Sequence, residues 1–111
     1  MDYLLRMNSI YAISEPKRAA IISLLAKRGA LSAGEICGEF DISAPAVSQH
    51  LKVLRDANLV EVKINAQKRI YSIKRDGLDR IENWVHELKQ QMEGALDRLE
   101  LFLAQGKDLD S

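Results

Sequence analysis

The sequence predicts a mainly α-helical (α+β) fold in which short helices precede one β-hairpin and one long helix. Two short helical segments joined by a turn at about 33–57 support this prediction, as do two alternating β-branched segments at about 59–75. A third observation is an apolar repeat with heptad spacing at about 77–105. The 111 residues suit one ordinary domain, so we expect a single domain over 1–111.

Composition places the chain among globular proteins. Hydrophobic residues make up 47% and charged residues 29% of the sequence, a balance that disordered chains lack. The apolar runs are far shorter than the ~20 residues that span a bilayer, and the N-terminus lacks the pattern of a signal peptide. We therefore expect a cytoplasmic protein with no membrane partner. The single cysteine, Cys37, excludes an internal disulfide.

Two helices are predicted before the helix-turn-helix segment. Apolar spacing indicates a short helix at 3–13. Ser14 and Pro16 have the features of the next helix start, because serine can cap the first turn and proline there lacks only an N–H that has no partner. Gly29 is of the residue type that ends a helix.

Capping signals define the two helices at about 33–57. Ser32 and Glu35 have the spacing of a capping box, and Ser43 can cap a second helix that runs to about Ala57. Two short helices joined by a turn form a helix-turn-helix candidate. The alternating segments that follow are separated by a turn at 65–68, so they predict a β-hairpin and thus the winged variant.

Charge is unevenly distributed along a chain whose net charge is zero. Residues 1–42 hold five positive and five negative side chains, whereas residues 43–75 hold seven positive and two negative ones. Residues 76–111 hold four positive and nine negative side chains. A basic segment within a neutral chain favours nucleic-acid binding by one face. The alternative is chance clustering of charges on solvated surfaces.

The last helix carries a heptad seam. Its apolar residues step by three and four from Leu78 to Phe102, and a protein this small has little else to cover them. We expect the seam to pack on the first helix and on a second subunit, although it could instead cover the core of the monomer. The predicted homodimer interface consists of Leu4, Leu5, Leu78, Ile81, Val85, Leu88, Met92, Leu99 and Phe102.

Four segments together resemble the ArsR-type winged-helix repressors. They are AISEPKR at 12–18, SAGEI at 32–36, SAPAVSQHLKVLRDANLV at 43–60 and the hairpin end RIYSI at 69–73. The resemblance is specific because all four occur in order. It implies a homodimer joined through the first and last helices, binding to an operator on double-stranded DNA, repression relieved by an inducer, and autoregulation.

Helical periodicity divides the second helix of the helix-turn-helix into two faces. Val47, Leu51 and Leu54 fall together and predict the core face. Because the N-terminal part of this helix meets base edges, Ala46 and Gln49 are the predicted base-reading residues. Ser43, Ser48, Lys52 and Arg55 are predicted to contact phosphates. On the wing, Lys63, Gln67, Lys68 and Arg69 are predicted to reach phosphates or the minor groove.

Some of these residues also have a simpler interpretation that involves no contact with DNA. Gln49 could be an ordinary solvated residue, and the charged wing tip could be a solvated hairpin end. His50 lies nearer the core face than the groove face, so we expect it to be packed or bonded to the backbone rather than in contact with DNA.

Metal ligands of the kinds used by related sensors are sparse. A thiolate site needs several cysteines, and the helix at 33–38 offers only Cys37, which we expect to be a buried apolar residue. On the last helix, His86 stands among carboxylates, a poor zinc site. We therefore expect no metal and no cofactor. An organic inducer, a redox change at Cys37, or no inducer at all are the open alternatives.

Two other classes of function are weighed against DNA binding. Catalysis is not expected, because His50 and His86 lie in different segments and the sequence has no glycine-rich phosphate loop and no nucleophile elbow. A protein-interaction module stays open, but it would not need the basic segment at 43–75. A membrane surface is a poor partner because the polar face of the last helix is acidic.

Overall fold

The computed structural model describes the backbone of residues 2–110 and the side chains of residues 4–105. The elements are α1 (Asp2–Ser14), α2 (Pro16–Arg28), β1 (Leu31–Ser32), α3 (Ala33–Gly38), α4 (Ala44–Asp56), β2 (Val60–Asn65), β3 (Lys68–Ile73) and α5 (Arg75–Asp110). The predicted mainly helical fold with an antiparallel hairpin wing is confirmed. None of the helices, over the residues described, is both long enough and apolar enough to cross a bilayer.

The chain divides into two compact units, one up to Ile81 and one from Glu82 onward. A single domain over 1–111 therefore stays a prediction. The first unit contains the helix-turn-helix and the hairpin. The second consists of the remainder of α5.

The sheet of the first unit has the strand order β1-β3-β2, and both pairings are antiparallel. β2 and β3 form the predicted hairpin, with Val62 opposite Tyr71 and Asn65 opposite Lys68. β1 was not predicted, because a strand of two residues carries no periodicity. Leu31 of β1 also lies opposite Tyr71, so β3 is paired on both sides at this residue.

The core lies between the helices and the sheet of the first unit. Its fully buried side chains include Ile21, Ile36, Leu51, Leu54 and Leu59. The predicted core face of α4 is confirmed, since Val47 is buried together with Leu51 and Leu54. Two side chains at the start of α5, Leu78 and Ile81, are partly buried against this core.

The start of α2 differs from the prediction. Glu15, not Ser14, is the N-cap, and its Oε2 accepts a hydrogen bond of 2.9 Å from the backbone N–H of Arg18. Ser14 is the last residue of α1, where its hydroxyl donates to the carbonyl of Tyr11. Only one residue separates the two helices, so the capping position falls on Glu15. The predicted C-cap Gly29 is confirmed, with φ of 79°.

The junction between α2 and α1 is held by a buried arginine. The Arg18 side chain donates to the carbonyl oxygen of Ala12 over 2.6 Å and to that of Tyr11 over 3.4 Å. Its guanidinium also lies 5.3 Å from the centre of the Tyr11 ring, within the range of a cation–π contact. These bonds satisfy carbonyls at the end of α1 that have no partner inside the helix.

α4 ends in a Schellman motif. Asn58 takes the left-handed conformation, its N–H donates to Arg55 O, and the N–H of Leu59 donates to Leu54 O. The start of α5 is tied to the same segment, because Gly77 N–H donates to Asn58 O over 2.9 Å. α5 was predicted at about 77–105, but it begins two residues earlier, at Arg75. This start could not be predicted from local sequence, because the acceptor that bonds its first turn lies far away in the chain.

The second unit is a continuous helix with a row of exposed apolar side chains. Met92 is 61% exposed and Phe102 is 69% exposed, and both belong to the predicted heptad seam. Among the side chains described in this unit, the other large apolar ones that are exposed are Val85, Leu88, Leu96, Leu99, Leu101 and Leu103.

Candidate nucleic-acid interface

α4 is fixed at its start by the predicted cap. Ser43 Oγ accepts a hydrogen bond of 3.3 Å from the backbone N–H of Ala46, and Pro45 occupies the first turn. Burial of Val47 and its neighbours on the core face then turns Gln49 and Lys52 toward solvent. The rigid core contact therefore determines which face of α4 is available to a partner.

α4 and β3 together form a cleft of about 420 Å³. It is lined by Pro45, Ser48, Gln49, Lys52, Arg55, Arg69 and Tyr71. Three of these side chains are cationic, and none of the lining residues described by the structure is acidic. The cleft therefore offers positive charge and neutral hydrogen-bonding groups, which suits a polyanion.

The two walls of the cleft follow from ordinary periodicities. Ser48, Lys52 and Arg55 are spaced by four and three residues, which places them along one side of α4. Arg69 and Tyr71 are two residues apart in β3, so both side chains lie on the same face of the sheet. Tyr71 packs into the core while Arg69 is exposed.

The tip of the wing is a two-residue turn, Ala66 and Gln67, that joins Asn65 to Lys68. Ala66 has φ of 59°, which is the left-handed region. Beyond the cleft, Lys68 and Arg69 line a second groove of about 430 Å³ against the start of α3. The start of β3 thus faces α3 through Lys68 and Arg69, and α4 through Arg69.

The structure brings some of the predicted DNA-contacting residues together and leaves others apart. Five of them line the cleft: Ser48, Gln49, Lys52, Arg55 and Arg69. Five do not line it: Ser43, Ala46, Lys63, Gln67 and Lys68. Of the latter group, Ala46 is half-buried and the others are exposed. Contact with DNA by all ten stays a prediction.

Sequence reasoning missed Tyr71. Its spacing of two residues from Arg69 in a predicted strand indicates that both side chains share a face of the sheet. That spacing could not predict that β3 lies beside α4.

His50 points away from the cleft. It is half-buried, and its Nδ1 lies 3.8 Å from Oε2 of Glu15, so it packs toward α2 beside a carboxylate. Desolvation raises the pKa of Glu15, but the N–H groups of Arg18 and Lys17 and the charges of His50 and Arg18 outweigh it and lower the pKa. Glu15 thus favours its ionised form at the start of α2.

The structure offers no metal centre within the residues it describes, since it holds no cluster of three or more His, Cys, Asp or Glu side chains suited to an ion. Cys37 was expected to be buried. It is half-buried instead, because it packs at the edge of the core and lines a groove of about 480 Å³ between α3 and α4.

Comparison with known proteins identifies the family. Residues 15–62 match the sequence profile described as bacterial regulatory protein, arsR family. Over 80 residues the chain is 38% identical to the transcriptional repressor SdpR of Bacillus subtilis (strain 168), which covers 71% of this chain and 88% of that protein. The chain belongs to the arsR family.

Two further proteins are similar to this chain. The HTH-type transcriptional regulator YgaV of Escherichia coli (strain K12) is 40% identical over 70 residues, which are 63% of this chain and 71% of YgaV. The solved structure of an ArsR-like transcriptional regulator from Rhodococcus sp. RHA1 superposes with a TM-score of 0.80, covering 90% of this chain and 93% of that one. At 20% identity it shows the winged helix-turn-helix fold alone.

Membership of the arsR family makes the protein a DNA-binding transcriptional repressor and not an enzyme. The matched arsR segment contains all of α4 but ends inside β2, at residue 62. One wall of the cleft therefore lies within the family match, and the wall made by Arg69 and Tyr71 lies outside it.

Proposed function

We propose that this repressor acts as a homodimer on an inverted-repeat operator, with α4 of each subunit in a major groove and the β2–β3 hairpin against the DNA backbone. The observation that carries the proposal is the cleft, where Lys52, Arg55 and Arg69 converge in a chain with zero net charge. Cations gathered on one surface release counterions from DNA when they bind phosphates, which favours binding.

Base reading is assigned to the N-terminal half of α4. Gln49 is exposed there and can form two hydrogen bonds with adenine, while the methyl group of Ala46 can contact that of thymine. Ser43 and Ser48 are exposed near the same end and are assigned to phosphates, together with the basic residues of the cleft. The exposed wing residues Lys63, Gln67 and Lys68 are assigned to the flanking backbone.

The homodimer is proposed from the exposed seam of α5. A row of apolar side chains with heptad spacing is costly to leave in water, and a second copy of the same helix offers a matching surface. Leu4 on α1 is also exposed, whereas Leu78 and Ile81 already pack partly against the core of their own subunit. The two-fold symmetry of a dimer gives half-sites about 10 bp apart or a multiple of that distance.

DNA from immediately upstream of the protein's own coding sequence is the natural first target, because autoregulation is part of the proposal. An inducer of unidentified chemistry would act by weakening this complex. A shift at the dimer helices would change the spacing of the two copies of α4 and thus the fit to the operator.

The experiment titrates the protein against this DNA with excess competitor at two salt concentrations, and measures the number of subunits bound per site. We expect salt-sensitive binding by two subunits that survives competitor. Gln49→Ala should weaken binding to the operator by about 10-fold, as loss of a base contact does, with less effect on random DNA. Lys52→Ala should weaken binding to both and lower the slope of log affinity against log salt by about 1.

Lys89→Ala is the matched control, because it removes an exposed lysine from α5 outside the cleft. It should leave the salt slope unchanged. If it changes the slope as much as Lys52→Ala does, the cleft is not the phosphate-binding surface. No binding of the wild-type protein to any DNA at low salt would overturn the proposal itself.

A further inference from the structure

Tyr71 combines burial of its ring with a free hydroxyl. The residue is only 5% exposed, and it lines the cleft between α4 and β3. Among the described residues, a nitrogen of Arg80 is the side-chain polar atom that is sealed from solvent and has no hydrogen bond. The Tyr71 hydroxyl is therefore not sealed from solvent without a partner. The Tyr71 hydroxyl makes no hydrogen bond to any of those residues, so it keeps access to solvent through the part of the side chain that lines the cleft.

A tyrosine whose ring is buried commonly bonds its O–H to a neighbouring group. The Tyr71 hydroxyl instead bonds none of the described residues and reaches solvent. Nothing in the packing requires an oxygen at this site, since phenylalanine would fill the same space. The hydroxyl is therefore available to a partner outside the chain.

The cationic side chains around the Tyr71 hydroxyl favour an anion as its hydrogen-bond acceptor. Arg69 lies two residues away on the same face of β3, and Lys52 and Arg55 line the opposite wall. These cations attract an anion into the cleft, where the O–H of Tyr71 can donate a hydrogen bond to one of its oxygens. A hydrogen bond to a charged acceptor is stronger than one between neutral groups.

The position of the hydroxyl is fixed by the sheet. β3 is the central strand, and at Tyr71 it pairs with Leu31 of β1 on one side and Val62 of β2 on the other. A ring packed in the core loses little further freedom when its hydroxyl binds a ligand. Lys68, beside the turn, is paired on one side only, with Asn65 of β2.

We propose that the Tyr71 hydroxyl binds a phosphate of the DNA backbone at the cleft, and thereby positions the cleft on the DNA. This inference rests on the proposed function. A phosphate contact positions the protein without reading sequence. A neutral donor also displaces no counterion of its own, so its loss lowers affinity without changing the salt dependence.

The test compares Tyr71→Phe with the wild-type protein on operator DNA and on random DNA, each at several salt concentrations. We expect affinity to fall by about 10- to 100-fold on both DNAs, as for loss of one hydrogen bond to a charged group, with an unchanged salt slope. The urea midpoint of unfolding should not fall, because the hydroxyl has no partner in the free protein. Tyr11→Phe is the control, since Tyr11 is 67% exposed on α1 and does not line the cleft. Its affinity should equal that of the wild type.

Unchanged affinity of Tyr71→Phe, with the wild type binding DNA normally, would overturn this inference and leave the proposed function intact. A loss confined to operator DNA would overturn it as well, since the hydroxyl would then read a base. A reduced urea midpoint would mean that the hydroxyl stabilises the fold instead. If the wild type itself binds no DNA, the inference and the proposed function both fail.

Discussion

Gly77 provides a sharp test of the junction between α4 and α5. Its amide donates to Asn58 O, and a Cβ added at this position would lie 2.8 Å from Asn58 O and 2.8 Å from Leu59 Cδ2. The Ala57 carbonyl oxygen would be 3.0 Å away. Two of these three atoms belong to the backbone, so a side-chain rotation cannot relieve the clash.

The magnitude follows from two opposing effects of Gly77→Ala. Alanine is favoured over glycine inside a helix by about 1 kcal/mol, and by less here because Gly77 lies in the first turn. Forcing a methyl group into a packed site costs about 1–3 kcal/mol, and a lengthened bond to Asn58 O costs up to about 1 kcal/mol more. The clash is larger, so we expect the free energy of unfolding to fall by about 1–3 kcal/mol.

Gly94→Ala is the matched control in the same helix. A Cβ there meets only Arg98 Nη1 at 3.5 Å, an ordinary contact with a flexible side chain. The helix preference of alanine should therefore raise the free energy of unfolding by about 0.5–1 kcal/mol. Urea unfolding followed by circular dichroism measures both variants. If Gly77→Ala is as stable as the wild type, the close approach of α5 to residues 57–59 is refuted.

Two further predictions concern the wing turn and the cap of α3. Ala66 has φ of 59°, which costs an L-residue about 1–2 kcal/mol, so Ala66→Gly should raise the thermal midpoint even after glycine's extra entropy in the unfolded chain. A lowered midpoint would contradict the left-handed turn. The backbone N–H and the hydroxyl of Ser32 lower the pKa of Glu35 in the folded state, with Arg28 and Lys68 assisting against desolvation. Its charge therefore stabilises the fold above the unfolded-state pKa of about 4.3, and this contribution is lost as the pH falls toward the lower folded-state pKa. In urea titrations the stability advantage of the wild type over Glu35→Gln should accordingly shrink on acidification from pH 7 to pH 3, and a constant difference would contradict the assigned contact.

Several elements could be predicted because their interactions join residues that are close in sequence. The capping box of Ser32 and Glu35 forms as expected, since the two residues are three apart and each bonds the other's backbone. Ser43 caps α4 for the same reason. The core face of α4 and the hairpin follow from periods of 3.6 and 2, which the sequence shows directly.

The N-cap of α2 could not be predicted from the residues around it alone. Ser14 and Glu15 are adjacent, and both can accept a hydrogen bond at a helix start. Which of them does so depends on where α1 ends, and the Arg18 side chain binds the carbonyls of that last turn. The prediction was wrong because it treated the start of α2 without the end of α1.

The cleft divides in the same way between sequence and tertiary structure. The sequence by itself determined that 43–75 is basic and that Gln49 and Lys52 lie on the free face of α4. Only the tertiary structure decided that Arg69 and Tyr71 form the opposite wall. Periodicity specifies which residues share a face of one helix or strand. The placement of β3 beside α4 depends on the register of β3 with β1 and β2 and on packing between residues far apart in the chain, for which no short sequence pattern exists.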